Sequence, residues 1–511
     1  MVSKILSIGL FGMEAYMVEI EADVTGGMQG FDIVGLPDSA IRESRDRVRS
    51  AIKNSGYKYP TGHITVNLAP ADIKKEGSVY DLPVLLALLI SSKQIAPTVS
   101  LEDSIFVGEV SLDGKLRAIN GVLAMVINAR QKGIKKFFLP IENAAEGSVV
   151  DGIEVYGVST ISEIADYLTG FTNITPTEKF LFEAQQGVSE ILDFADVKGQ
   201  SAAKKALEIA AAGGHNILLI GSPGAGKSML AKRLPGILPE MTFEESIETT
   251  KIYSVAGELE PTSPLVTQRP FRASHHTVSS RGLTGGGSIP RPGEISLAHN
   301  GVLFLDELPE FSREVMETLR QPLEDGRVTI SRVAGSATYP SEFTLVAAMN
   351  PCPCGFFGHP TRKCTCTPNA VSKYLNRVSG PMLDRLDLHI EVPPVDYESL
   401  KSTVKEETSE EVRARVNKAR QIQVKRYQGS GVKCNARLTP SLLTKFCQMT
   451  DDAEFLLKSA FDRLGLSARA YDRILKVART IADLDNAEKI DTAHIAEAIH
   501  FRSLDRKYWG E

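Results

Sequence analysis

Apolar and polar positions along the chain fall into three regimes. In residues 1–170, AYMVEIEADV (15–24) alternates apolar and polar positions as a half-buried strand does. SAIRESRDRVRSAIKNSG (39–56) predicts a basic amphipathic helix, HITVNLAP (63–70) a strand and DLPVLLALLISS (81–92) an apolar helix. SIFVGEV (104–110) then reads as a strand and GVLAMVINARQKG (121–133) as a helix, without a strict βαβ repeat, so this block is expected to be α+β. From 193 to 395 the pattern changes to short, wholly apolar runs closed by turn signals: HNILLIG, GVLFLDEL, FTLVAAMN and LDLHIEV. Such runs predict a parallel sheet covered on both faces. Residues 396–511 are charged and helical throughout, and 171–192, polar at its start and weakly periodic, is expected to be a linker.

Apolar residues make up 42% and charged residues 24% of the 511 residues, the composition of a globular protein of two to four domains. No apolar run is long enough to span a bilayer, so no membrane association is expected. The first residues lack the unbroken apolar stretch of a signal peptide, and the expected location is cytoplasmic. Lys+Arg number 58 against Asp+Glu 63, a net charge of −5. That balance excludes a globally basic nucleic-acid coat protein but leaves room for a local basic surface.

Chemistry enters at ILLIGSPGAGKS (217–228). Gly221, Ser222, Pro223, Gly224, Ala225, Gly226, Lys227 and Ser228 fit G-x-x-x-x-G-K-[ST], between an apolar strand and a helical continuation. In that pattern loop N–H groups cradle phosphates, the lysine reaches the β- and γ-phosphates and the hydroxyl ligates Mg²⁺. ATP and Mg²⁺ are therefore the expected cofactors. About eighty residues on, GVLFLDELPEF places Asp306 and Glu307 at a strand's C-terminal end, where ligands sit in open α/β sheets. Asp306 is expected in the Mg²⁺ shell and Glu307 as the group that polarises the attacking water. Asn350, ending FTLVAAMN, is placed to orient that water. Arg385, Arg469 and Arg473 are three further candidates, more arginines than one subunit's γ-phosphate needs, which points to a ring with one supplied by a neighbour.

DFADVKGQ, GSPGAGKS, FLDEL, AAMNPCPCG and LDRLDLHIEV together resemble the magnesium-chelatase-like AAA+ ATPases, most closely the ComM/YifB subfamily, over essentially the whole chain. The resemblance implies an AAA+ P-loop α/β core (193–395), a C-terminal helical lid (396–511) and a homo-hexameric ring. It makes Asn350 sensor 1, Arg385 the finger acting in trans, and Arg469 the sensor-2 arginine, with Arg473 as fallback. It also implies ATP-driven movement on single-stranded or branched DNA, promoting branch migration in homologous recombination during natural transformation.

Residues 1–170 resemble the Lon protease domain, of ribosomal-S5-domain-2-like fold, along 108–146 and 74–89. Lon-type proteolysis needs a serine nucleophile and a lysine base. Their positions fall here on Val79 and Leu123, so the dyad is missing; Ser78, one residue away, has no base. An ATP-dependent unfoldase or protease-like factor is the second reading of the chain. A magnesium chelatase subunit is the third, opposed by the N-terminal block and by a cysteine loop that the chelatase ATPase subunit lacks.

That loop carries Cys352, Cys354, Cys364 and Cys366 as C-x-C and C-x-C with nine residues between, tighter than the usual zinc knuckle. Four thiolates on one loop suit a structural Zn²⁺, with His359 as a substitute ligand. For DNA, 327–343 reads as a hairpin with Gly335-Ser336 at its tip and Arg332 nearby. An insertion at 272–288 carries Arg272, His275, His276 and Arg281 among glycines, suited to phosphate contact without base readout. Residues 413–433 hold seven Lys/Arg and no acid, a DNA-contacting or simply solvated helix face.

Overall fold

A computed structural model describes residues 2–180, 182, 192–260, 263–287, 290–332, 335–395, 401 and 406–509. Most of the second half of the expected linker, and the junction at 396–405 apart from 401 itself, lie outside the described residues.

The first block is built on a mixed seven-stranded sheet. Its strands run in the order Gly30–Val34, His63–Ala69, Glu14–Thr25, Ser3–Phe11, Ser104–Phe106, Lys136–Pro140, Glu154–Val158. The long hairpin Ser3–Phe11/Glu14–Thr25 is antiparallel, and the last three strands continue from it in parallel. Helix Ser39–Asn54 starts where Asp38 accepts from Ile41 N–H at 2.8 Å, and it buries Ile41, Val48 and Ile52 at helical spacing. Helix Asp81–Ser91 is buried on nearly every side, as its unbroken apolar sequence requires.

The second sheet is parallel throughout, in the order Phe271–Ser274, Val302–Leu305, Thr344–Met349, Ile217–Ile220, Leu388–Glu391. Its apolar runs are continuous because both faces are covered. Ile217, Leu219, Phe304, Val346 and Ile390 belong to one apolar cluster, shared with helix Ser201–Gly213 and the C-terminal helices. Leu218, Ile220, Leu303, Leu345 and Ala347 belong to another, on the opposite face.

Four of the five strands coincide with the apolar runs of the sequence. The fifth, Phe271–Ser274, falls inside the segment expected to be a flexible insertion. With only four residues and a central arginine it carries no strand pattern of its own; pairing with Val302–Leu305 defines it. The hairpin is present as Arg327–Arg332 and Gly335–Pro340, and Arg332 pairs with Gly335. Gly335 and Ser336 thus start the second strand and are not the tip; residues 333–334 between the strands lie outside those described.

The C-terminal block is helical: Ser409–Arg426, Pro440–Phe446, Asp451–Leu464, Ala468–Leu484, Thr492–His500 and Ser503–Trp509. At its centre Asp483 receives Arg426 (2.9 Å), Arg479 (3.1 Å) and the Asn435 side-chain amide (2.9 Å). Arg415, Arg420 and Lys433 of the basic run 413–433 are likewise engaged inside the molecule, on Glu208 and Glu407, on the Ala211 carbonyl and on Glu342. No described helix is long and apolar enough to cross a membrane.

Removing Asp483 would strand two arginines, one of them only 1% exposed. Asp483→Ala is expected to lose about 3–5 kcal/mol of stability, read as a fall in the denaturant midpoint. A midpoint within experimental error of wild type would show that these arginines need no buried counter-charge.

Candidate functional site

All the parallel strands point their carboxyl ends at one edge, and the glycine loop, Asp306, Glu307 and Asn350 collect there, whereas Arg385 precedes its strand at the opposite end. Strand Ile217–Ile220 runs into the glycine loop, Thr344–Met349 into Asn350, and Val302–Leu305 into Asp306 and Glu307. Gly221 passes so close to the last strand that a Cβ would lie 2.5 Å from the Val392 carbonyl oxygen. Gly226, at φ +92°, turns the loop into helix Lys227–Arg233.

Lys227 is buried, 8% exposed, and its ammonium donates to the Gly221 (2.8 Å) and Ser222 (3.0 Å) carbonyls and to Asn350 Oδ1 (3.1 Å). Burial holds it below the ordinary lysine value, against the opposing pull of Asp306 and Glu307. Beside it Ser228 Oγ donates to Asp306 Oδ2 at 2.7 Å. Glu307 follows with its backbone in the left-handed region, φ +55°, a strained setting for a non-glycine residue and one that turns the side chain outward. This arrangement fits a magnesium-bound polyphosphate. The cation has only neutral acceptors in contact, and the hydroxyl and carboxylate suited to the metal already touch.

Sequence reasoning missed two residues, one at this edge and one at the opposite end of the sheet. His276 Nδ1 lies 3.5 Å from Glu307, because strand Phe271–Ser274 delivers the histidine pair to the same edge. Asn216 donates to the Arg385 carbonyl (2.9 Å) and accepts from Leu345 N–H (2.8 Å), cross-linking the feet of three strands. The strand pattern around 272 gave no sign of the first. A polar residue just before an apolar run was the available signal for the second.

The three arginines are not in contact with Lys227. Arg385 ion-pairs with Glu324 and donates to the Pro381 carbonyl at 2.5 Å. Arg469, exposed, and Arg473, nearly buried, both reach Asp384 at 3.5 Å, and Arg473 also lies 3.6 Å from Asp387. Asp387 is shielded from water, which would raise its pKa, but the His215 hydrogen bond and the charges of His215 and Arg473 hold it below the ordinary value.

Arg281 and Arg332, both exposed, approach one another at Gly286, where an added Cβ would meet Arg332 Nη2 at 3.1 Å and Arg281 Cγ at 4.0 Å. Arg272 is different: Glu294 binds it twice at 2.7 Å and Glu258 once at 3.0 Å, so its charge is neutralised internally.

The thiols of Cys352, Cys354, Cys364 and Cys366 all lie within 4.8 Å of one another, close enough to share a metal ion. His359 is not among them; its Nδ1 accepts from Thr361 N–H (3.2 Å) and Arg362 N–H (3.0 Å). Val79 and Leu123 are both in the apolar core of the first block, and Ser78 bonds to Glu109.

Three family models match the chain: magnesium chelatase subunit ChlI over residues 193–400, subunit ChlI of Mg-chelatase over 20–143, and the ChlI C-terminal part over 406–502. Competence protein ComM of Haemophilus influenzae is 46% identical over 499 residues, 97% of this chain and 96% of that protein. The chain belongs to the magnesium-chelatase-like ComM/YifB family. YifB of Escherichia coli is 43% identical over 500 residues, 97% of this chain and 96% of its own length. Lon protease of Koribacter versatilis matches more distantly, 26% over 162 residues, 29% of this chain and 19% of that protein. As a ComM/YifB member, the chain carries an AAA+-type ATPase core and the mixed α/β architecture that goes with it.

The depressed Lys227 has a measurable consequence. A polyanion raises the lysine pKa, so nucleotide binding should take up protons. Uptake should grow as pH rises through the pKa of unliganded Lys227 and vanish at lower pH, where the amine is protonated before and after binding. Calorimetry in buffers of different ionisation heat would measure it. Uptake that shows no such rise, or that survives in Lys227→Met, would assign it to another group.

Proposed function

We propose that this chain is an ATP-hydrolysing AAA+ ring motor that acts on DNA, a homo-hexameric helicase that promotes branch migration of recombining strands during natural transformation. The observation that carries the ATPase part is the Lys227–Asn350 contact beside the Ser228–Asp306 contact, at the ends of three consecutive parallel strands. The name of the competence relative supports the biological setting. In this reading residues 1–170 form a Lon-like domain without its dyad, 171–192 a linker, 193–395 the motor core and 396–511 the lid.

Bound ATP with Mg²⁺ supplies an electrophilic phosphorus and divalent charge. Lys227 binds the β- and γ-phosphates once it leaves the loop carbonyls. Ser228 and Asp306 hold the metal shell, directly or through water. Glu307 orients and polarises the attacking water, and Asn350 fixes that water from the neighbouring strand. His276 holds Glu307 aside until the loop moves. Arg385 serves the neighbouring subunit's nucleotide after releasing Glu324, and Arg469 closes the lid over its own, with Arg473 as the fallback. Arg281 and Arg332, from two separate elements, form a cationic pair for the DNA backbone. Zn²⁺ on the four cysteine thiols completes the cofactor set.

Glu307→Gln is expected to bind ATP and fail to hydrolyse it, whereas Lys227→Ala loses binding and turnover together. Wild-type turnover by Glu307→Gln would move the water-activating role elsewhere.

Arg385→Ala is expected to abolish turnover with ATP binding retained, a loss of roughly 10³-fold or more for a finger. Lys227→Ala subunits, which still carry Arg385, should partly restore Arg385→Ala subunits in mixed rings. No recovery in rings shown to be mixed would refute action in trans.

The DNA reading is tested by ATPase stimulation with single-stranded DNA, casein and protoporphyrin side by side. Stimulation by DNA alone is expected, and Arg281→Ala/Arg332→Ala should shrink the salt dependence of DNA binding by roughly one unit of slope per arginine. Stimulation by casein or protoporphyrin instead would transfer the chain to an unfoldase or chelatase role.

A further inference from the structure

Residues 351–367 form no helix or strand, yet their four cysteines pack in the apolar cluster on one face of the ATPase sheet, Cys352 fully buried there. An irregular segment of that length needs something to offset the entropy of ordering it. The four thiols are the candidates. Cys352, Cys354 and Cys364 are separated by 3.4, 3.7 and 3.5 Å, and Cys366 completes the group within 4.8 Å. A zinc–thiolate bond of about 2.3 Å sets a tetrahedral edge of about 3.8 Å, so these spacings suit one mononuclear ion. A polynuclear iron–sulfur cluster needs its thiolates further apart. Phe357 N–H donates to Cys352 Sγ at 3.3 Å, the kind of bond that orients a ligand sulfur.

What the loop touches gives the metal a task. Gly355, next to Cys354, lies in the left-handed region at φ +82° and packs directly on the phosphate loop. A Cβ there would fall 2.4 Å from Pro223 Cδ and 2.7 Å from Cγ. On its other side the loop begins just after Asn350, which holds the Lys227 ammonium. Phe357 meets Tyr508 of the C-terminal helix at 6.4 Å between ring centres, and Leu504 and Trp509 pack in the same apolar cluster as the thiols. The cysteine loop thus lies between the phosphate loop and the last helix.

We propose that a zinc ion on Cys352, Cys354, Cys364 and Cys366 clamps the phosphate loop through Gly355 and Asn350, so that nucleotide affinity depends on metal occupancy. The clamp rests on the zinc and nucleotide readings above but adds to them a coupling between the two sites. Without the metal the loop loses its cross-link. Pro223 loses its wall, and Asn350 is no longer fixed against Lys227.

The full-length protein tests this without any turnover assay. Elemental analysis of purified protein is expected to give about one zinc per chain. Chelation under reducing conditions should weaken binding of a fluorescent ATP analogue by roughly tenfold or more, and added Zn²⁺ should restore it. Co²⁺ in its place should restore binding too and give intense thiolate-to-metal absorption. Trp509, the single tryptophan, provides a second signal of the change in packing. Gly355→Ala should keep its zinc and reproduce the loss of ATP affinity, which separates the clamp from general unfolding on metal loss; a variant that keeps both zinc and ATP affinity would overturn coupling through Gly355.

Zinc held, but ATP affinity equal with and without it, would overturn the clamp and leave the metal site standing. Absence of zinc and of cobalt–thiolate absorption would overturn the site and the clamp together. Holoprotein that binds no ATP would overturn the nucleotide reading, and the clamp would fall with it.

Discussion

The structure depends on how one buried ammonium is accommodated. Among the described residues Lys227 has no carboxylate in hydrogen-bonding contact; two carbonyls of its own loop and one side-chain amide oxygen carry its charge. An ion shielded from water is tolerated only when every N–H finds an acceptor. The lysine therefore dictates that Thr344–Met349 lie directly beside Ile217–Ile220, with Ile220 opposite Met349, so that Asn350 emerges level with the loop. That register in turn sets Leu305 against Ala347 and brings Asp306 within 2.7 Å of Ser228. Chemistry at the edge and hydrogen bonding along the strands are one constraint.

The opposite end of the sheet is tied to the helical block by a second polar network. His215 lies between Asp387 (3.2 Å) and Thr480 (2.7 Å), and Asn216 holds the Arg385 carbonyl. Thr480 also accepts from Asn435, which belongs to the Asp483 cluster. Gly213 leaves no room for a side chain, since a Cβ would lie 2.2 Å from His215. Helix Ala468–Leu484 is thus tied by hydrogen bonds and ion pairs to the residues flanking Arg385. Asp384 and Asp387, on either side of that arginine, face Arg473 of the same helix.

Sequence pattern carried most of the nucleotide edge because each of its residues follows an apolar run, and such runs are buried on both faces. The glycine loop, Asp306, Glu307 and Asn350 could all be located this way. Strand Phe271–Ser274 could not: it is short and polar, and its neighbour alone makes it a strand. The pattern therefore suggests phosphate contact for His276 and not a place beside Glu307. The meeting of Arg281 with Arg332, some fifty residues apart, depends on the close approach of two loops at Gly286, which no local period encodes. For the basic run 413–433 periodicity leaves a DNA-contacting and a solvated helix face both open, because it does not reveal partners. Glu208, Asp483 and Glu342, which engage its cations, come from distant parts of the chain, and Glu407 lies just before the run.

The first block shows what replaces chemistry when a site loses its reactive groups. Where a protease would need a hydroxyl and an amine, Val79 and Leu123 are packed into the core, 8% and 0% exposed. Glu146, whose carboxyl burial pushes upward, accepts from Leu123 N–H at 2.7 Å and from the Ser254 hydroxyl. Ser254 belongs to helix Phe243–Ala256 of the ATPase half, and its Oγ accepts from Gly121 N–H at 2.9 Å. The backbone at the start of helix Val122–Gln131 is thus bonded to the ATPase half rather than open to a substrate. A second grip lies at the hairpin: the Phe11 ring would be 2.8 Å from a Cβ on Gly335, and Gly12 packs on Ala337. Two elements of the ATPase half, the helix ending at Ala256 and the hairpin beside Arg332, are thus each packed on the N-terminal sheet or the helix laid on it, through residues 11–12 and 121–123.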